Sequence, residues 1–195
     1  MPRPDRSAER RRELAPVLAR AFAALGYRRA TTAELASRCD VQEKALYRLW
    51  PDKRAMFLAA LDQVFAESEA VWERLASEPG RGRSAAERLL AYEAQHHGEH
   101  RLYRIIFAGL SETDDPLIRE ALAGLFGRFQ RLIRDHIARH RRGRARAGDL
   151  DPDLAAWAIV GLGTVANIGR ELKLQTAAER SELLAETGAR LLGGG

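Results

Sequence analysis

Apolar residues recur at intervals of three and four along almost the whole chain, and stretches of period two are nearly absent, so the pattern predicts an all-α protein. Leu14, Val17, Leu18, Ala21, Phe22 and Leu25 give a first helix one apolar face, and Gly26 is placed to stop it in the left-handed conformation. Pro16 has no N–H. Either the helix begins near Ala15 with Pro16 in its first turn, or a longer helix is kinked there, with residues 1–9 read as a polar tail. A second helix starts at Thr31. Thr31 and Glu34 fit the S/T-x-x-E capping box, in which each side chain serves the other's free N–H. A break follows at Cys39-Asp40-Val41. A short helix then runs from about Gln42 to Leu49, and Pro51 ends it.

The next helix is long, about Lys53–Ser77, with Met56, Phe57, Ala60, Leu61, Val64, Phe65, Val71, Trp72 and Leu75 as its stripe. Pro79-Gly80-Arg81-Gly82 breaks it. Further helices are expected at about Ala85–Gly98, His100–Ser111 and Pro116–Arg139, then a basic, glycine-containing loop at Arg141–Gly148. Asp151-Pro152-Asp153 opens a helix to about Leu174, and a last helix covers about Ala178–Leu192 before a frayed Gly193–Gly195. Leu154–Gly169 is uncharged and apolar on nearly all sides. That is more than one face of a monomer needs, so a second subunit is expected, with a purely internal core as the alternative.

Composition adds bounds. The 195 residues are 46% apolar and 30% charged, enough for a real core under a soluble surface. The single cysteine, Cys39, excludes an internal disulfide and a cysteine zinc site, and reads as a buried structural thiol. The arginine-rich N-terminus has no apolar leader core, and 16 uncharged residues are short for a membrane span, so no membrane partner and a cytoplasmic location are expected. Charge is uneven: residues 1–54 carry 13 Lys/Arg against 7 Asp/Glu, net +6, whereas residues 55–195 carry net −1. A basic head on a near-neutral body suits a polyanion, although solvated basic faces are common.

The chemistry gathers in the head. A capped helix, a tight turn and a short second helix, held by Ala36, Val41 and Leu46, have the form of a helix-turn-helix, whose second helix enters the major groove. Its outward residues are Gln42, Glu43, Lys44, Tyr47 and Arg48. Gln can pair with adenine, Lys can donate to guanine or phosphate, Glu can accept from a cytosine amino group, and Tyr and Arg can bind phosphate. Thr31 and Thr32 at the first helix, and Lys53 at the start of the long one, complete the DNA-binding candidates. An ordinary helical hairpin with a polar face has the same periodicity.

The stretch Leu14–Leu61 resembles the N-terminal domain of TetR-family transcriptional regulators. The matching residues are Phe22, Gly26-Tyr27, Thr31, Leu35-Ala36, Val41, Leu46-Tyr47, Trp50 and Lys53. The resemblance implies a DNA-binding domain at residues 1–54, with Gln42–Arg48 as recognition helix, Tyr47 and Lys53 on phosphates and Thr31 as cap. It implies an effector-binding and dimerisation domain at residues 55–195, whose helices at about 152–174 and 178–192 pair in a homodimer. The function implied is a repressor released from a palindromic operator in double-stranded DNA by a small, largely apolar ligand. The sequence departs from the family at Asp40, usually glycine, which must then adopt a left-handed conformation. It departs also at Gln42, Lys44 and Trp50.

Pocket candidates on the middle helices are Phe65, Trp72, Tyr92, Tyr103, Phe107, Phe126, Phe129 and Trp157, each of which also suits plain core packing. His96 and His100 stand four apart, but Gly98 lies between them, so a polar helix end is preferred to a metal site. The arginines of Arg139–Arg146 read as a solvated loop. No nucleophile elbow, phosphate loop or paired carboxylates are found, so no cofactor, metal or enzymatic activity is expected. A helical dimeric adaptor or small-molecule-binding protein without ligand-gated DNA release is the alternative.

Overall fold

The computed structural model describes residues 6–78, 83–142 and 150–193. Helices follow one another as α1 (Arg6–Leu25), α2 (Thr32–Arg38), α3 (Glu43–Leu49), α4 (Lys53–Ser77), α5 (Ala85–His96), α6 (Tyr103–Leu110), α7 (Pro116–Arg141), α8 (Pro152–Glu171), α9 (Ala177–Glu182), a π-helical turn (Leu183–Thr187) and α10 (Gly188–Leu192). The protein is all-α, and the described residues contain no strand. The break expected at residues 79–82 lies outside the described residues, as do residues 143–148 of the loop expected at Arg141–Gly148 and residues 194–195 of the end expected to fray; Arg141 is helical, the last residue of α7, and Gly193 takes φ +96°.

By compactness the chain divides into two units, residues 1–67 with 100–125 and residues 68–99 with 126–195. This cut differs from the boundary expected from the sequence at residues 54/55. α6 and the first part of α7 belong with the head because α6 packs on α1, and Gly109 of α6 fits against Phe57 and Leu122. Two ion pairs fasten the α6–α7 turn to the same unit: Arg28–Glu112 at 2.7 Å and Arg54–Asp115 at 3.1 Å.

In the first unit, α1 buries Leu14, Leu18, Ala21 and Phe22. The helix extends ten residues before Pro16, so of the two expectations the longer helix is realised, and residues 6–9 are helical rather than a tail. Pro16 deprives the Arg12 carbonyl of its helical donor, but Arg12 is exposed, so water can serve it. Phe22, Tyr27 and Phe57 form an aromatic knot, with Phe22 and Tyr27 meeting Phe57 at 5.1 and 4.9 Å between centroids. Leu35, Leu46 and Met56 close this core without exposure.

Thr31 caps α2 by accepting from the Glu34 N–H at 3.2 Å. The reciprocal half of the capping box is absent. Glu34 accepts instead from Arg38 at 2.8 Å, a charged donor one turn away. The turn that follows is a complete Schellman motif. Asp40 N–H donates to Ser37 O, Val41 N–H donates to Ala36 O, and Asp40 sits at φ +51°. The left-handed aspartate expected from the sequence is therefore what turns α2 into α3.

In the second unit, Ser84 and Glu87 form a full capping box on α5, and Asp151 with Pro152 opens α8. Ala86, Ile137, Ala155, Ala156 and Leu192 make one buried cluster, and Ala94, Ala166 and Leu184 another. α5 stops at His96 because Gly98 turns left-handed. α8 stops at Glu171, short of the expected Leu174, where Lys173 takes φ +55° and Leu174 N–H returns to Gly169 O. The last helix is not uniform: the π turn divides it. After that turn Gly188 lies against Leu90 of α5, where a Cβ would overlap the leucine methyl.

Candidate nucleic-acid interface

α3 has two faces. Leu46 and Leu49 are buried, whereas Gln42, Glu43, Lys44, Tyr47 and Arg48 are all exposed, with Tyr47 47% accessible despite its aromatic ring. The five outward residues expected from the sequence therefore share one surface. Gln42 occupies the N-cap position but makes no side-chain cap bond.

Three of the candidates bond to one another. Thr32 Oγ1 donates to Glu43 Oε2 at 2.7 Å, and the Tyr47 hydroxyl donates to Thr32 Oγ1 at 3.3 Å. Lys53, the first residue of α4, donates to the Tyr27 carbonyl at 3.1 Å and stands 4.6 Å from the Tyr27 ring centroid. Burial and the nearby Asp115 and Asp52 hold the Tyr27 hydroxyl above its ordinary pKa, so it stays neutral. Residues 17–60 match the model of bacterial regulatory proteins of the TetR family. Over these residues the head matches the TetR-family domain.

Solved structures carry the likeness of fold over the rest of the chain. A TetR-family transcriptional regulator from Cytophaga hutchinsonii is 14% identical, covers 97% of this chain and 96% of its own, and superposes with a TM-score of 0.78. Similar regulators from Streptomyces coelicolor and Chloroflexus aurantiacus are 21% and 18% identical, cover 95% and 97% of both chains, and give TM-scores of 0.71 and 0.75. No curated protein matches the chain. Among the described residues no helix is long and apolar enough to cross a membrane.

Sequence reading of the TetR-family head missed Asp115. This residue caps α7 by accepting from the Leu117 and Ile118 N–H groups while pairing with Arg54, and these bonds outweigh desolvation and hold its carboxyl below the usual range. Asp115-Pro116 is a cap-and-first-turn signature that could have revealed the first role, but nothing local reveals the second. Cys39 is buried, as expected, and burial pushes its thiol pKa up, away from the reactive thiolate.

The aromatic candidates do not form one set. In the second unit Trp72 and Phe129 approach at 6.1 Å, and the Tyr92 and His96 rings meet at 4.5 Å, tilted by 33°. In the first, Tyr103 meets Phe107 edge-on at 5.7 Å, and Phe65 is buried. Phe126 is half-buried, and Trp157 lies on the exposed face of α8, 50% accessible. None of them lines the groove of about 280 Å3 in the second unit, whose walls are Arg83, Glu87, Leu90, Ala91, His140, Ala185, Ala189 and Leu192.

A polar link that the sequence did not announce joins α4, α5 and α8. Glu93 accepts from the Trp72 indole N–H at 2.7 Å and from His97 Nδ1 at 2.8 Å, while His97 Nε2 lies 2.9 Å from the Gly163 carbonyl. Both neighbours of His97 are acceptors, so both bonds form when both ring nitrogens carry hydrogen. Burial opposes a charged Glu93, but the His97 bond and charge, with the Trp72 N–H, prevail and lower its pKa. His96 pairs with Glu99 at 2.9 Å, and His100 stands beyond the left-handed Gly98, off the helix that carries His96. The described residues contain no cluster of three metal-ligating side chains.

Proposed function

We propose that the protein is a homodimeric transcriptional repressor whose two TetR-family heads bind a pseudo-palindromic DNA duplex and release it when a small, largely apolar effector binds the body. The observation that carries this reading is the exposed polar face of α3, Gln42 to Arg48, inside the matched domain. Gln42 and Lys44 face base edges; Tyr47, Arg48 and Lys53 contact phosphates; Thr31 holds the end of α2. Lys53 must then turn part of its donor capacity from Tyr27 to phosphate, which its three N–H groups permit.

Dimerisation rests on α8. Leu154, Trp157, Val165, Ile168 and Leu172 are all exposed and, with Gly161, follow one another at intervals of three and four residues. A solvent-facing stripe of this size with no charge is an interface in want of a partner, and a second copy of α8 is the self-complementary one. For the effector, the groove beside α5 and α10 and the Trp72–Phe129 pair are the candidate contacts. An effector releases DNA only by its tighter binding to the non-DNA form.

The test is selection of duplexes by the full-length protein from random DNA. The expected product is an inverted repeat with half-sites about one helical turn apart. Recovery of no preferred sequence would reject the reading.

A further inference from the structure

We propose that Arg11 is a clamp on the DNA backbone, its Nε fastened to the C-terminal end of α3 and its terminal amino groups presented to a phosphate; the proposal rests on the DNA-binding reading of α3. The part of α1 that precedes Leu14 places no apolar side chain in the core. Arg6 and Ala8 to Glu13 are all exposed, and the segment carries Arg6, Arg10, Arg11 and Arg12 against Glu9 and Glu13. Cations in the first turns of a helix oppose its dipole, so helix stability does not explain these arginines. A polyanion outside the fold does explain them.

Arg11 differs from its neighbours. Arg10 pairs with Glu13 at 2.8 Å on the same helix, whereas Arg11 Nε donates across the head to the Leu49 carbonyl at 2.9 Å. Leu49 is the last residue of α3, where carbonyls have no helical donor and a cation suits the negative end of the helix. That bond uses one of the five N–H hydrogens of a guanidinium. The other four, on the terminal amino groups, make no bond to the described residues. Arg11 can therefore donate to Leu49 and to a phosphate at once. Its position suits the second task. α3 has seven residues and is about 10 Å long, and the major groove is about 12 Å wide, so a helix in the groove brings its ends near the phosphate walls. Arg11 holds such an end, next to Arg48. A guanidinium already fixed at Nε also loses less freedom on binding than an untethered one.

The experiment measures affinity of the full-length protein for its selected duplex, and for single-base-pair variants of it, by fluorescence anisotropy over a series of salt concentrations. In Arg11→Gln the amide nitrogen stands as many bonds from Cα as Nε does, so it still donates to Leu49, while the charge and both terminal amino groups are gone. Binding is expected to weaken about three- to tenfold for each head on every duplex, and the slope of log affinity against log salt to become shallower by about 0.9 for each head. Arg11→Ala, which also removes the donor to Leu49, is expected to lose more affinity for the same change of slope. Arg12→Gln removes an equal charge one position on, and its change of slope is expected to be less than half as large. A wild-type slope in Arg11→Gln would show that the guanidinium meets no phosphate and overturn the proposal. An equal change in Arg12→Gln would reduce the effect to overall charge and overturn it too, as would Arg11→Ala binding no more weakly than Arg11→Gln, or a base preference altered at one position. Should Arg11→Ala melt at a lower temperature, the slopes of the two Gln variants still decide. If the wild type selects no duplex, the DNA reading itself fails; failure of the Arg11 role alone leaves wild-type binding intact.

Discussion

Helices α3 and α8 each leave one face uncovered within the protomer, and the two faces have opposite chemistry. On α3 and its N-cap it consists of Gln42, Glu43, Lys44, Tyr47 and Arg48; on α8 and its C-cap it consists of Leu154, Trp157, Val165, Ile168 and Leu172. A polar face rests comfortably in water and gains when a polyanion displaces the solvent. An apolar face is uncomfortable until something covers it, at roughly 25 cal/mol for each Å2 removed from water. The uncovered face of α3 thus points to a duplex and that of α8 to another protein surface. Their inner faces differ as well. α3 needs only Leu46 and Leu49 inside, whereas α8 buries Ala155, Ala156, Ala166 and Gly169, small residues that let neighbouring helices come close.

The comparison breaks most readily at α8. Val165→Glu with Ile168→Glu places charges where a second copy is proposed to sit, and an uncompensated buried charge costs about 3–5 kcal/mol. Self-association should weaken at least a hundredfold in sedimentation equilibrium, with the helical content of the monomer retained. If the double variant assembled as the wild type does, the stripe would be no interface. The corresponding change on α3 is smaller. Tyr47→Ala should lower duplex affinity about tenfold on every sequence, through one lost backbone contact, and leave self-association unchanged.

Acid should separate the two helices further. Glu93 has a depressed pKa in the fold, so its stabilising link to Trp72 and His97 is fully present at neutral pH and is lost as the pH falls below the ordinary carboxylate range. His136 is buried and, with Arg139 donating to its Nδ1, is held neutral; its lowered pKa makes the fold lose stability as the pH falls below the ordinary 6.5. Both groups belong to the unit that contains α8. Thermal unfolding followed by Trp fluorescence should therefore show the melting temperature falling in two steps on acidification, and Glu93→Gln should flatten the lower one. The smallest effect is expected at the α2–α3 turn. Asp40→Gly should raise stability by about half a kcal/mol in denaturant titration, because glycine takes φ +51° without steric cost but gives up more entropy on folding.

Much of α3 was legible in advance because its controls are local. The threonine cap, the left-handed Asp40 and the outward set from Gln42 to Arg48 all depend on residues within five or six positions, and each lies where the sequence places it. Where a competing partner stood nearby, the local rule failed: Arg38 takes the Glu34 carboxylate that a capping box would have used. Pro16 could not be resolved from the pattern, since both readings kept the same apolar face, and only the exposure of Arg12 makes the longer helix tolerable. The aromatic candidates were drawn from residue type alone. Type does not say which side of a helix meets a neighbour, so Trp157 was grouped with Trp72 although it faces outward.

The sequence by itself determined the all-α class, the caps and turns, and the polar character of the face that α3 presents, because these follow from periodicity and from hydrogen bonds closed over a few residues. Only the tertiary structure decided which of two apolar faces α8 turns inward, that Lys53 lies on Tyr27, and that Glu93, His97 and Gly163 meet. Those outcomes depend on groups up to 70 residues apart, and a face that is apolar all round carries no label for its inside. The inside is fixed when the neighbouring helices arrive, and what they leave uncovered is the surface on which the proposed dimer depends.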